Sequence, residues 1–240
     1  MAGLPGRVIP EKVSTVVHIA EGFLPPVHAA AWTVVAAPFV IHGTRSATRI
    51  VRENPSARLL LGAAGAFTFV MSAIKLPSVT GSSSHPTGTG VGAIIFRPPV
   101  MALLGTIVLI FQALLLAHGG LTTLGANVFS MAVVGPWVGY GLFRALAAAR
   151  FVVRVFVGVA TANLATYVTT ATQLALAYPE GGFLEAWSRF LGIFAVTQIP
   201  LAIVEGLVGV LLLNALISWA RPELDELDVL PTEAKEAARA

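Results

Sequence analysis

The chain has 240 residues, 56% of them hydrophobic and only 11% charged, with a mean hydropathy of +0.82. Water-soluble domains carry about 25% charged residues, so this is read as an all-α integral membrane protein in a lipid bilayer. The formal charge of +3 sits on basic residues between apolar runs, which is no nucleic-acid signature, and the absence of cysteine excludes disulfides and thiolate metal sites.

Residues 1–16 carry Arg7, Glu11 and Lys12 and lack the apolar core of a secretory signal. Two readings stand side by side. The segment is a short disordered or interfacial extension, or it lies upstream of a true start at Val17, since valine codons serve as bacterial starts. In the second case the mature chain begins Met-His-Ile-Ala-Glu-Gly.

Apolar runs near the spanning length of about 20 residues cover Pro26–Gly43, Leu59–Leu76, Val100–Ala117, Leu121–Phe143, Val152–Ala177 and Trp187–Ala220. The last is long enough to tilt, or to bend near Pro200. Arg45, Arg49, Arg52 and Arg58 mark the first loop as cytoplasmic. With six crossings, Arg144, Arg150 and Arg154 would then fall outside, against the positive-inside rule. A short helix over Gly88–Phe96, descending from a loop at mid-depth, brings Arg97 and the later arginines to the cytoplasmic side. The expected topology is therefore seven transmembrane helices with a half-length third. The N-terminus lies outside and inserts into the bundle; the C-terminus lies inside the cell. Residues 17–220 form one membrane domain, and residues 221–240 a cytoplasmic tail that is helical or disordered. Glycines within the spans permit close helix packing.

Between the second and third helices runs Leu76–Gly90, rich in Gly, Ser and Thr, with His85 at its centre. Lipid cannot satisfy a loop's backbone, so at membrane depth it must be packed in protein or line a cavity. That makes His85 a ligand candidate. His28 and His42, near the ends of the first span, and His118, in a Gly-Gly turn, are expected to be structural. A chain starting at Val17 would offer its α-amine, the His18 amide nitrogen and the His18 imidazole to one metal ion. His85 would complete four nitrogens in a plane, which suits Ni²⁺, Cu²⁺ or low-spin cobalt. Amide deprotonation makes such binding weaken in acid. If residues 1–16 are retained the α-amine is lost. Asn163 and Glu205 are intramembrane polar residues, candidates for function or for a bond between helices.

His18–Pro26 (HIAEGFLPP), Lys75–Gly90 (KLPSVTGSSSHPTGTG), Phe111–Met131, Leu164–Thr170 (LATYVTT) and Thr197–Gly206 (TQIPLAIVEG) together resemble the membrane substrate-binding component of cobalt and nickel energy-coupling-factor transporters, the CbiM/NikM family. The resemblance covers about residues 17–220, is nearer the cobalt branch, and implies seven spans. It implies metal ligands at Val17 (as the initiating Met), His18 and His85, with Co²⁺ or Ni²⁺ as cargo and no cofactor. Some relatives carry a cleavable leader, whose apolar core residues 1–16 lack. It departs from relatives at Ser83, where the cobalt branch often has Cys, and at Asn163, where Asp is common. Implied partners are a transmembrane coupling subunit, ATPase subunits and a small accessory membrane protein in the cytoplasmic membrane. The chain itself has no phosphate-binding Gly-x-x-x-x-Gly-Lys-Ser/Thr loop, so it is a transporter subunit rather than an enzyme. Cobalamin synthesis is the implied destination of the cobalt. Two rival readings are an intramembrane hydrolase using Ser84 with His85, and a passive metal channel. The loop lacks a carboxylate to orient the imidazole, which weakens the first.

Overall fold

The computed structural model describes residues 18–74 and 84–229 in full, with the backbone of Leu76, Pro77 and Ser83. Its helices are α1 (Pro26–Glu53), α2 (Ala57–Ala73), α3 (Thr89–Phe96) and α4 (Pro98–Leu116). They continue with α5 (Leu124–Ala145), α6 (Phe151–Ala177), α7 (Phe183–Trp219) and α8 (Arg221–Glu226). Among the described residues, α1, α4, α5, α6 and α7 are long and apolar enough to cross a bilayer, whereas α2 is shorter. Val34, Leu115, Leu184 and Leu211 are among the large apolar side chains left exposed on these helices. Such a surface suits hydrocarbon rather than water, and the chain is a multi-pass membrane protein.

Proline sets several helix starts. Pro26 opens α1 and Pro98 opens α4, where the missing N–H has no intrahelical role. Within α1, Thr33, Thr44 and Thr48 each donate to the carbonyl four residues earlier, at 2.8–2.9 Å. Lipid-exposed hydroxyls are thereby satisfied without water. In α5 the turn over Val128–Val134 widens to π geometry just before Gly135-Pro136. The Pro136 ring would collide with the Ala132 carbonyl in a regular α-helix, and the wider turn relieves this.

The structure moves several expected boundaries. α1 runs on to Glu53, so Arg45, Arg49 and Arg52 lie on its last turns rather than in a loop, and Arg58 lies on α2. A short link, 54–56, joins these helices, because nothing before Asn54-Pro55 breaks the helix. The start of the tail is not free. Leu224 and Val229 are buried in the main apolar cluster, beside Val155 and Leu213, and Ser56 Oγ donates to Glu226 at 3.0 Å. Residues 230–240 lie outside the described residues.

α3 is the centre of the molecule. All eight of its residues are buried, enclosed by α2, α4, α5, α6 and α7. Glycines make the close approaches possible: a Cβ at Gly90 would sit 2.8 Å from Val159 Cα, and one at Gly139 2.4 Å from the Gly158 carbonyl oxygen. Before α3, Leu76–Pro77 pairs antiparallel with Ser83–Ser84, with Leu76 opposite Ser84. That ladder supplies backbone partners that lipid could not. Lys75 and residues 78–82 lie outside the described residues.

Candidate metal centre

Three segments far apart in the chain bring their imidazoles together. His18 lies before α1, His85 in the loop before α3, and His118 in the turn after α4. His18 Nδ1 is 2.9 Å from His85 Nε2 and 2.8 Å from His118 Nε2. The His18 and His85 rings stack with centroids 4.6 Å apart and planes 12° apart, and His118 meets both edge-on. All three are buried, and their nitrogens lie within 4.8 Å of one another.

Two of the rings also meet acceptors outside the cluster. His85 Nδ1 lies 2.7 Å from the Pro86 carbonyl, which only accepts, so Nδ1–H donates. His18 Nε2 lies 3.2 Å from the Met131 thioether, a weak acceptor. His18 Nδ1 thus stands between His85 Nε2 at 2.9 Å and His118 Nε2 at 2.8 Å. Three convergent ring nitrogens are donors of the kind a transition-metal ion takes.

Each histidine is held by its own element. Ile19 N–H donates to Asn127 Oδ1 at 2.9 Å, and Asn127 Nδ2 returns a bond to the Ile19 carbonyl at 3.0 Å. Thr123 Oγ1 donates to the same carbonyl at 2.6 Å. The His18 segment is thus clamped onto α5 next to its π turn, where such turns recur at functional sites. Glu21 and Gly22 extend the clamp: Glu21 N–H donates to the Gly119 carbonyl at 3.2 Å and Gly22 N–H to Thr122 Oγ1 at 2.9 Å. The Thr122 side chain, then its backbone N–H, hold the exposed Glu21 carboxyl below its usual range. A carboxyl so lowered favours the docked segment above its ordinary pKa and loses that contribution as pH falls through the lowered value. Gly120 permits the close approach, since a Cβ there would lie 2.5 Å from Glu21 Cα.

His118 was expected to be structural and is instead part of the cluster. Ala117 ends α4 in the left-handed region, at φ 47°, and His118 N–H closes back onto the Gln112 carbonyl at 3.2 Å. That reversal aims the ring inward, and Gly119, at φ 76°, completes the turn. A His-Gly-Gly sequence at the end of a span was the available signal. His28 is half-buried and His42 exposed, and neither joins the cluster. Val17 lies outside the described residues.

On the α3 side, Tyr167 Oη donates to the His85 carbonyl at 3.0 Å, and Ser84 Oγ shares a 2.7 Å hydrogen bond with Thr197 Oγ1. Ser84 and His85 therefore face different partners, the opposite of what a nucleophile and its base require. Glu205 is fully buried and is a bond between helices rather than a solvent-facing group. It accepts from Asn163 Nδ2 at 2.7 Å, from Thr87 N–H and Oγ1 at 2.8 Å each, and from Gly88 N–H at 2.7 Å.

Apolar helices enclosing three convergent imidazoles make a membrane protein with nitrogen donors for a transition metal. The fold agrees. The chain superposes on a solved truncated transition metal transporter with a TM-score of 0.72 and 25% identity, over 84% of this chain and 98% of that one. A second transition metal transporter shares the fold, with a TM-score of 0.71 at 24% identity over 92% of this chain and 98% of that one. Residues 18–224 match the CbiM family model, the cobalt uptake substrate-specific transmembrane region. The chain belongs to the CbiM family. Similar relatives include the cobalt transport protein CbiM of Streptomyces coelicolor, 64% identical over 91% of this chain and 96% of the relative. That of Propionibacterium freudenreichii is 57% identical over 88% of this chain and 92% of the relative.

Proposed function

We propose that the protein is the substrate-specific component of an ATP-driven energy-coupling-factor importer, capturing Co²⁺, or Ni²⁺, from outside the cell. The carrying observation is the 2.9 Å separation of His18 Nδ1 and His85 Nε2. Two nitrogens each about 2.0 Å from one cation lie ~2.8 Å apart when at right angles and ~3.3 Å apart in a tetrahedron. The observed spacing supports the tetragonal arrangement. His18 Nδ1 and His85 Nε2 take adjacent corners, and the His18 amide and the amine of a chain starting at position 17 take the other two. His118, on the edge of this pair, supports the ligand set from outside it. Tetragonal nitrogen sites suit Ni²⁺ and low-spin cobalt.

The histidines and the arginines also lie at opposite ends of the helices. α3 runs from the His85 loop to Arg97, and α5 from the His118 turn to Arg144. Arg97, Arg144, Arg150 and Arg154 line one cavity of ≈ 620 Å³ with Asp228. The positive-inside rule puts that end in the cytoplasm and the histidines near the outer face, with seven crossings in which α3 is half-length. Cysteine substituted for Arg97 is expected to react with an impermeant thiol reagent only from the cytoplasmic side. Labelling from outside contradicts this topology.

A transmembrane coupling subunit, paired ATPases and a small accessory membrane protein would supply the energy, and the imported cobalt would feed cobalamin synthesis. Radioactive cobalt uptake, competed with nickel in cells carrying the whole transporter, tests both proposals. Uptake should stop when the ATPases are inactivated, and cobalt should outcompete nickel. Uptake independent of ATPase activity indicates a passive channel instead.

A further inference from the structure

Glu205 touches no imidazole, yet more donors converge on it than a bond between two helices requires. Its two oxygens receive four hydrogen bonds of 2.7–2.8 Å: one from Asn163 on α6 and three from Thr87 and Gly88, two and three residues after His85. Surroundings of donors alone suit a carboxylate, which only accepts. We propose that Glu205 is the positioning residue for His85. Resting on the metal-centre reading above, this assigns Glu205 the task of fixing where the His85 imidazole faces His18.

Thr87 and Gly88 are the last two residues before α3, and Gly88 is its N-cap, with no capping side chain of its own helix. Glu205 supplies the missing acceptor from α7. A carboxylate there also complements the positive end of the helix dipole, while Arg97 follows the other end. Gly88 cannot shift to compensate for a lost bond: it sits at φ 69°, and a Cβ there would be 2.8 Å from Thr68 Cα. Thr68 Oγ1 donates to the Gly88 carbonyl at 3.2 Å and Tyr167 Oη to the His85 carbonyl at 3.0 Å. The backbone from His85 to Gly88 is therefore pinned by α2, α6 and α7, with the carboxylate holding both amides. An imidazole two residues away inherits that precision.

The competing account is that Glu205 only fastens α6 to α7 through Asn163. Two variants separate them. In Glu205→Gln the amide nitrogen necessarily faces two of the four donors. Combining it with Asn163→Asp restores a carboxylate–amide bond between α6 and α7 but leaves the charge off the Thr87 and Gly88 amides. The protein, expressed in its natural host so that it carries its native N-terminus and purified in detergent, is titrated with Ni²⁺ alone, following the absorption of the bound metal, affinity and thermal stability. Glu205→Gln should weaken Ni²⁺ by roughly 10–100-fold, as loss of an outer-shell partner does, and shift the absorption band. The double variant should recover thermal stability without recovering affinity or band. If Glu205→Gln is not recovered folded, Thr87→Val, which deletes one donor, should shift the band in the same direction. Wild-type affinity and spectrum in the Glu205 variant, or full recovery in the double variant, overturns the positioning role while leaving the metal centre standing; for Thr87→Val an unshifted band does the same. Wild-type protein that binds no Ni²⁺ overturns both.

Discussion

Replacing His85 by alanine is expected to abolish cobalt uptake while leaving the protein inserted in the membrane. The ring supplies one of the two nitrogens proposed to hold the ion, and its other nitrogen lies 2.7 Å from the Pro86 carbonyl, next to it in the chain. The loop itself is held through groups the substitution leaves in place: the His85 carbonyl by Tyr167, the Thr87 and Gly88 amides by Glu205, and Ser84 by Thr197. Removal of an outer-shell partner costs about 10–100-fold in affinity. Loss of a ligand nitrogen should exceed that, taking uptake to background. The check pairs uptake of radioactive cobalt with the amount of variant protein recovered from membranes. Normal uptake by inserted protein removes His85 from the site.

The second large effect is expected at a residue that touches no metal. Asn127→Leu keeps the volume of the side chain and deletes both of its bonds to Ile19, at 2.9 and 3.0 Å. The Ile19 carbonyl retains Thr123 Oγ1, but its N–H is left without an acceptor in a residue only 3% exposed. An unsatisfied buried donor costs about 1–3 kcal/mol. Since 1.4 kcal/mol is tenfold, the equilibrium constant for docking the His18 segment falls by roughly 5–150-fold. Metal affinity, measured by equilibrium dialysis, should fall by up to the same factor. His85 and His118 remain in place, so thermal unfolding of the bundle should move little. An unchanged affinity means that His18 is held by something other than this pair.

Much of the fold was legible because membrane helices announce themselves by length and apolarity. α4, α6 and α7 follow the apolar runs within a few residues, and the short helix before Arg97 follows from charge placement alone. Boundaries failed where polar residues stayed helical. Arg45, Arg49 and Arg52 extend α1 because long basic side chains reach past the apolar region without breaking the backbone hydrogen bonds. The tail begins as a helix, one of the two forms expected of it, but its packing was not legible: isolated Leu224 and Val229 have no periodic signal of burial, yet they belong to the main cluster.

The same division runs through the site. Local context singled out His85, a lone imidazole among hydroxyls and glycines, and the reading of a chain start at Val17 singled out His18. His118 carries no such context. Its inward aim comes from the left-handed Ala117 and the Gly119 turn, which are matters of backbone path rather than composition. Glu205 and Asn163 stood out as polar residues in apolar helices, but their partners, Thr87 and Gly88, lie more than a hundred residues from Glu205. By itself the sequence determined membrane residence, the helices and two of the three imidazoles, since hydrophobic transfer and ligand chemistry act locally along a chain. Only the tertiary structure decided which nitrogens face one another and what pins them, because those depend on approaches of 2.8–3.2 Å between segments that share no local signal.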